Sequence, residues 1–400
     1  MIGDERLSSR SPVPTMACPR VSTGTFVIAA ALTVVGASTY NALPLLVRGV
    51  TTALRFSPAQ AGVIALVVSV GFGISGLIAG VWVRSVPWPH AAVWALCGIL
   101  VANTAAGVEH AYWAFTVSLG VAGIFGGSAI CLGMTILSEC RDATRAFGLA
   151  ISVQVAYQVA LFLAGPALLK HFGLAVILAI PVLFSVLMLP FAVRLPVRGR
   201  AVVREGVTRA LLKPVPSAAL VAMAIFFVNV GAFWTYLELL GESRGMSAQA
   251  VANCVAAGVA AGIPGGALAW ALGERFGKFS PLAFGAVVTG GSPLILLGFR
   301  GVGAFSLCLL LYFFACNCTI AYQTATLNAV DITGRAVAVS TAIAAVGSAV
   351  GSGIAALLVT PGHYENVIWI GLISALFSTI LFGGVTLVSR QPNSTAMARK

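Results

Sequence analysis

Charge is scarce in this sequence. Of 400 residues, 11 are acidic and 23 basic, together 8%, while 59% are hydrophobic. A soluble domain of that size cannot stay dispersed on so few charges, which excludes a water-exposed fold for most of the chain. Histidine is scarcer still. His90, His110, His171 and His363 all fall in loops and join no cluster of Asp or Glu, so neither a metal centre nor a general-base pair is visible, and an enzyme is not expected. The glycines Gly347, Gly351 and Gly353 lack a following Lys-Ser/Thr, which removes a phosphate loop and with it a nucleotide cofactor. The segment ahead of Val21 lacks the apolar core of a secretory signal, and Cys18 lacks the hydrophobic stretch that precedes a lipoprotein site. Residues 1–21 therefore read as a cytoplasmic tail. The eight cysteines lie mostly within apolar runs and read as small buried hydrophobes. No cofactor is expected.

What the sequence does contain is long apolar stretches, twelve of them, with every charged residue between them or at their ends. They run over 26–47, 61–83, 91–108, 112–137, 147–169 and 173–193, then 217–237, 248–272, 282–299, 302–327, 336–359 and 367–388. About 20 helical residues cross a hydrocarbon core roughly 30 Å thick, and a charge at mid-depth costs roughly 2.5 to 3.5 kcal/mol. The fold class expected is an all-α polytopic membrane protein. An even number of spans puts both termini on one side, and the basic residues divide 18 to 5 in favour of that side. Counted over short loops, this bias places both termini in the cytoplasm, in a bacterial-type cytoplasmic membrane. The net charge of +12 thus has a topological cause, and nucleic acid is not an expected partner.

Sliding the second half over the first until Ser247 meets Ser57 aligns Ser57-Pro58-Ala59-Gln60 with Ser247-Ala248-Gln249, Gly76 with Gly266, and Arg145-Ala146 with Arg335-Ala336. Six helices are duplicated. The expected organisation is a six-helix bundle over 22–193, a basic cytoplasmic linker over 194–213, a second bundle over 214–390 and a tail over 391–400.

Two loop motifs extend this pattern. After the eighth span stands Glu274-Arg275-Phe276-Gly277-Lys278, and after the second Gly80-Val81-Trp82-Val83-Arg84-Ser85-Val86-Pro87. With the topology, they resemble the major facilitator superfamily, whose loop motif is similar to Gly-x-x-x-Asp-Arg-x-Gly-Arg/Lys; the likeness covers residues 22 to 390. The resemblance implies two pseudo-symmetric six-helix bundles and, in the second half only, a cytoplasmic latch of Glu274, Arg275, Gly277 and Arg335. In the first copy Arg84 stands where the acid belongs and Pro87 where the glycine belongs. The fourth span has no arginine, and Leu161 and Leu169 flank Gly165-Pro166 where the antiporter signature has glycines, which weighs against proton-antiport drug efflux.

By the same resemblance the first, fourth, seventh and tenth helices line a cavity. Tyr40 and Asn41, with Ser38 and Thr39, precede Pro44, and form either a hydrogen-bonding patch at a bend or a polar clasp between helices. Gln154, Tyr157 and Gln158 share one face of the fifth helix at i, i+3 and i+4. Asn317, Tyr322 and Gln323 in the tenth helix join Asn229, Trp234 and Tyr236 of the seventh as the second wall. The slide that lays Ser57 on Ser247 also lays Arg48 on Glu238, so the two are equivalent in the repeat and opposite in sign; they are the candidate external gate, and Glu238 is the candidate group for proton coupling. Such a chain is expected to be a secondary transporter of a small organic solute, monomeric, embedded in the lipid bilayer and open to coupling with protons. Uptake or efflux stays open. The rival is a transport-inactive sensor or assembly partner built on the same fold.

Overall fold

An apolar segment in a bilayer has to satisfy its own amide groups, and a helix does so without neighbours. In the computed structural model each of the twelve stretches is helical, and among the described residues twelve helices are long and apolar enough to cross a membrane. The structure describes residues 22–83, 85–109, 111–139, 143–197, 214–273, 275–330 and 335–390. Both tails, most of the linker and Glu274 of the latch lie outside the described residues.

Helix α1 runs over Thr23–Asn41 and, past a break at Ala42, over Leu43–Ala53. It is followed by α2 (Pro58–Trp82), α3 (Trp88–Val108), α4 (Tyr112–Ser138), α5 (Ala143–Phe172) and α6 (Ala175–Ala192). The second set is α7 (Pro214–Ser243), α8 (Ala248–Leu272), α9 (Phe279–Gly291, continued by a 3-10 turn and Ile295–Gly298), α10 (Val302–Val330), α11 (Arg335–Leu358) and α12 (Asn366–Arg390). Thr23 and Arg390 lie on one face of the bundle, the near face; Arg48 and Ser243 lie on the opposite, far face.

The duplication is visible in how the helices start. Ser57 caps α2 by accepting the amide of Gln60 at 3.1 Å, and the Gln60 side chain returns a bond to the Ser57 amide, a closed capping box. Ser247, its counterpart in the repeat, caps α8 from the amide of Ala250 at 3.3 Å. Its glutamine sits one position earlier, as Gln249, and instead reaches across to the carbonyl of Leu163 on α5 at 3.1 Å.

Within the first six helices α4 is central, packing on α1, α2 and α3. Within the second six α10 packs on α8 and α9, while α7 packs on α11 and α12. The two groups meet along α2 with α11 and α5 with α8, and the far segment of α1 leans on α7. Without a hydrophobic force between helices in lipid, such crossings depend on close backbone approach. A Cβ on Gly123 of α4 would strike the backbone carbonyl of Val68 on α2, and one on Gly351 of α11 would strike that of Val228 on α7. Gly351 is thus a packing glycine in mid-helix. The result is two pseudo-symmetric six-helix bundles.

Candidate functional site

A buried polar atom without a partner costs about 1 to 3 kcal/mol, so its recurrence on a few helices needs an explanation. The four polar residues Ser38 to Asn41, ahead of Pro44, differ in their partners. Ser38 donates to its own Val35 carbonyl at 2.6 Å. Thr39 donates to Asn103 of α3 at 3.4 Å, and Asn103 donates in turn to the Ile99 carbonyl. The Thr39–Asn103 bond is the helix clasp, while Ser38 bonds only within its own helix. Tyr40 and Asn41 are not part of it: the Tyr40 ring stacks on Phe72 at 5.2 Å, and the buried Asn41 amide nitrogen has no hydrogen bond. Just beyond them α1 breaks at Ala42, shortly before the proline that cannot donate to the helix.

The three α5 residues are half-buried. The Gln154 amide nitrogen and the Tyr157 hydroxyl are enclosed without partners, and the Tyr157 ring lies edge-on to Phe184 at 5.7 Å. On the other side, Asn229 of α7 is fully buried and accepts the hydroxyl of Tyr312 at 3.4 Å, while its amide nitrogen is unsatisfied. Trp234 sits between Phe162 of α5 at 5.5 Å and Phe313 of α10 at 5.9 Å, with its indole N–H unpartnered. Gln323 is fully buried and neither of its amide atoms is bonded. Tyr312 was not legible as a site residue, because it stands in the apolar run Leu309-Leu310-Leu311-Tyr312-Phe313-Phe314.

Three other candidates are satisfied within the protein. The Tyr236 hydroxyl donates to the Pro58 carbonyl at 2.9 Å, tying α7 to the start of α2. Tyr322 donates to the Gly273 carbonyl at 2.8 Å at the near end of α8. Asn317 is exposed and donates back to Phe313 at 3.0 Å. The structure does not bring these three into the unsatisfied set.

At the far face an ion pair joins the two halves, and it lies one helical turn beyond the expected position. The Nε of Arg48 is paired with Glu242, not with Glu238. Desolvation explains the choice: both partners keep some water contact, at 18% and 26% side-chain exposure, whereas Glu238 is wholly buried and would draw Arg48 out of solvent. Neither Glu238 oxygen has a hydrogen bond. The i, i+4 spacing of Glu238 and Glu242 puts both on one face of α7, the signal by which Glu242 is recognisable in sequence. Beside them Arg244 pairs with Glu365 at 3.5 Å and donates to the Leu296 carbonyl. In the α11–α12 loop, burial pushes the Tyr364 phenol above the ordinary tyrosine range; a backbone hydrogen bond at Gly362 opposes this and the charge of Glu242 adds to it.

At the near face, Arg275 is exposed and Gly277 has φ of +70°, a left-handed conformation that favours glycine in the loop. Arg335 opens α11.

The comparisons with known proteins agree with this architecture. The sequence pattern of the Major Facilitator Superfamily matches residues 28–333. No curated protein sequence matches the chain. Among solved structures, a bacterial homologue of the human lysosomal transporter Spinster, inward-facing and unoccupied, superposes with a TM-score of 0.71 at 12% identity, covering 92% of this chain and 96% of that one. A mutant of the nucleoside transporter NupG gives 0.71 at 12% identity, covering 92% and 100%. With its sequence matched over most of its length and its twelve helices arranged as in these transporters, the chain belongs to the major facilitator superfamily.

Proposed function

We propose that this protein is a secondary active transporter that carries a small organic solute across the cytoplasmic membrane by alternating access, with both termini in the cytoplasm. One observation carries the reading. Unsatisfied buried polar atoms on Asn41 and Gln154 of one half and on Asn229 and Trp234 of the other lie beneath a far face held shut by Arg48 and Glu242. Side chains that lack partners in the protein suit a solute that brings its own donors and acceptors. Amides, phenols and an indole favour a neutral or weakly polar solute rich in hydroxyl or carbonyl groups over polyamines or metal cations. The closed far face fits the inward-facing form of the Spinster homologue, and the 18 to 5 division of basic residues supports the orientation. Glu238 is the group through which protons couple to this movement: a carboxyl with no hydrogen bond, one turn beneath the gate, gains a partner only when the gate rearranges.

The test is flux in proteoliposomes against radiolabelled sugars, carboxylates and aromatic acids. Saturable uptake of one class that falls in Asn229→Ala and Trp234→Ala is expected; no flux of any class would favour the transport-inactive reading, whose own support is the first loop motif, where Arg84 and Pro87 replace the acid and the glycine.

A further inference from the structure

A cavity of about 640 Å³ opens on the far face where the two halves meet, bordered by Arg48 of the ion pair between them. Arg48 and Thr52 of α1, Lys170 and His171 at the end of α5, and Ser247 and Gln249 at the start of α8 line it. Its fixed charges, Arg48 and Lys170, are both positive; no Asp or Glu is among the described residues that line it, and His171 adds an imidazole donor. α8 adds to the field. The Ser247 hydroxyl takes the amide of Ala250, and helix geometry leaves the preceding amides of Ala248 and Gln249 without an intrahelical acceptor, at the positive end of a 25-residue helix.

Basic residues in the last turn of α5 also have an ordinary role, offsetting the negative end of that helix. That role does not account for a second cation and a second helix terminus, from α1 and α8, facing them across the boundary between bundles. Arg48 has two duties here: it lines the cavity while its Nε is held by Glu242. A guanidinium has further N–H donors in a planar fork that matches an oxyanion.

We propose that this cavity binds a small oxyanion, a carboxylate or phosphate group, through Lys170, His171 and the first amides of α8, and that the bound anion competes with Glu242 for Arg48. Occupancy then loosens the strut between α1 and α7 and favours opening of the far face. Binding itself does not depend on the transport reading, and is measured without flux. The anion has two sources, a dissolved solute and a lipid headgroup of the far leaflet.

The full chain in phosphatidylcholine nanodiscs, titrated with inorganic phosphate at constant ionic strength, tests this by thermophoresis. Saturable binding is expected, weakened about tenfold in a Lys170→Gln/His171→Gln double variant, the loss of about one charge-assisted hydrogen bond. Arg300→Gln, a far-face cation away from the cavity, leaves it unchanged. In Glu242→Gln, affinity rises about fivefold, because Arg48 no longer has a competing partner. Including phosphatidylglycerol in the disc separates the sources: displaced phosphate identifies a headgroup as occupant, retained phosphate a dissolved anion, and either supports the site. Absence of saturable binding in both discs, or wild-type affinity in a double variant with an unchanged melting temperature, overturns the site. Unchanged affinity in Glu242→Gln overturns the competition.

Discussion

Helices α1 and α7 are copies of one another in the repeat, yet they are built differently. α1 breaks at Ala42 and its lower segment packs chiefly on α4, inside its own bundle; its upper segment leans on α7 of the other half. α7 runs unbroken for 30 residues, clamped along α11 and α12, and buries every residue from Gly231 to Gly241. The contrast divides the labour at the far face. α7 is the unbroken post that carries Glu238 and Glu242, and α1 has a bent tip that carries Arg48. The duplicated fold thus keeps one copy straight and bends the other.

The contrast is open to attack, and the strongest blow is to the post. Gly351→Leu drives a side chain into the Val228 carbonyl, so about 3 kcal/mol of stability should be lost, read as a fall in melting temperature and in folded yield from detergent. Next, Glu238→Gln on the intact post should cut pH-gradient-driven uptake about tenfold, equivalent to about 1.4 kcal/mol, while solute counterflow persists; gradient-driven uptake at the wild-type rate sinks the proton assignment. Relaxing the bend with Pro44→Ala should slow transport about threefold and, because Pro44 is buried, also lower the melting temperature, by less than Gly351→Leu does. Single charge reversal at Arg48 or Glu242 should shift far-face accessibility by about 1 kcal/mol, as suits a part-buried pair that keeps some solvent contact, and the double reversal should restore it. Failure of that rescue removes the ion pair as the contact between post and tip. Smallest is Asn103→Ala, which frees Thr39 of the α1–α3 clasp and should cost at most about 1 kcal/mol in melting with transport intact.

The spans were legible because the hydrocarbon core tolerates neither charge nor unpaired backbone, and both constraints leave long marks in sequence. Twelve helices and their doubling follow from them. Side-chain partners left weaker marks. Tyr236 and Tyr322 stand among other polar residues and look like wall residues, but each has found a carbonyl far along the chain, at Pro58 and at Gly273. Spacing along a helix says which face a phenol shares and not what lies opposite. The same limit placed the Arg48 partner at the repeat-equivalent Glu238, when the desolvation cost moves the pair out to Glu242. Tyr312 was hidden by its apolar neighbours, and its role emerges only from the Asn229 carbonyl that it meets.

The seam between α2 and α11 has a further consequence. Along it Gly73 faces Ala345 and Gly76 faces Ala342, while toward the far face Gly62 lies against Tyr236 as well as Ala356 and Gly353 against Leu66, so the seam is small-on-small near one end and receives large side chains into glycines near the other. The near half of this seam has few side chains to interlock. Opening the seam at its near end would part mostly glycine from alanine, whereas opening it at its far end would have to lift Tyr236 off Gly62 and Leu66 off Gly353.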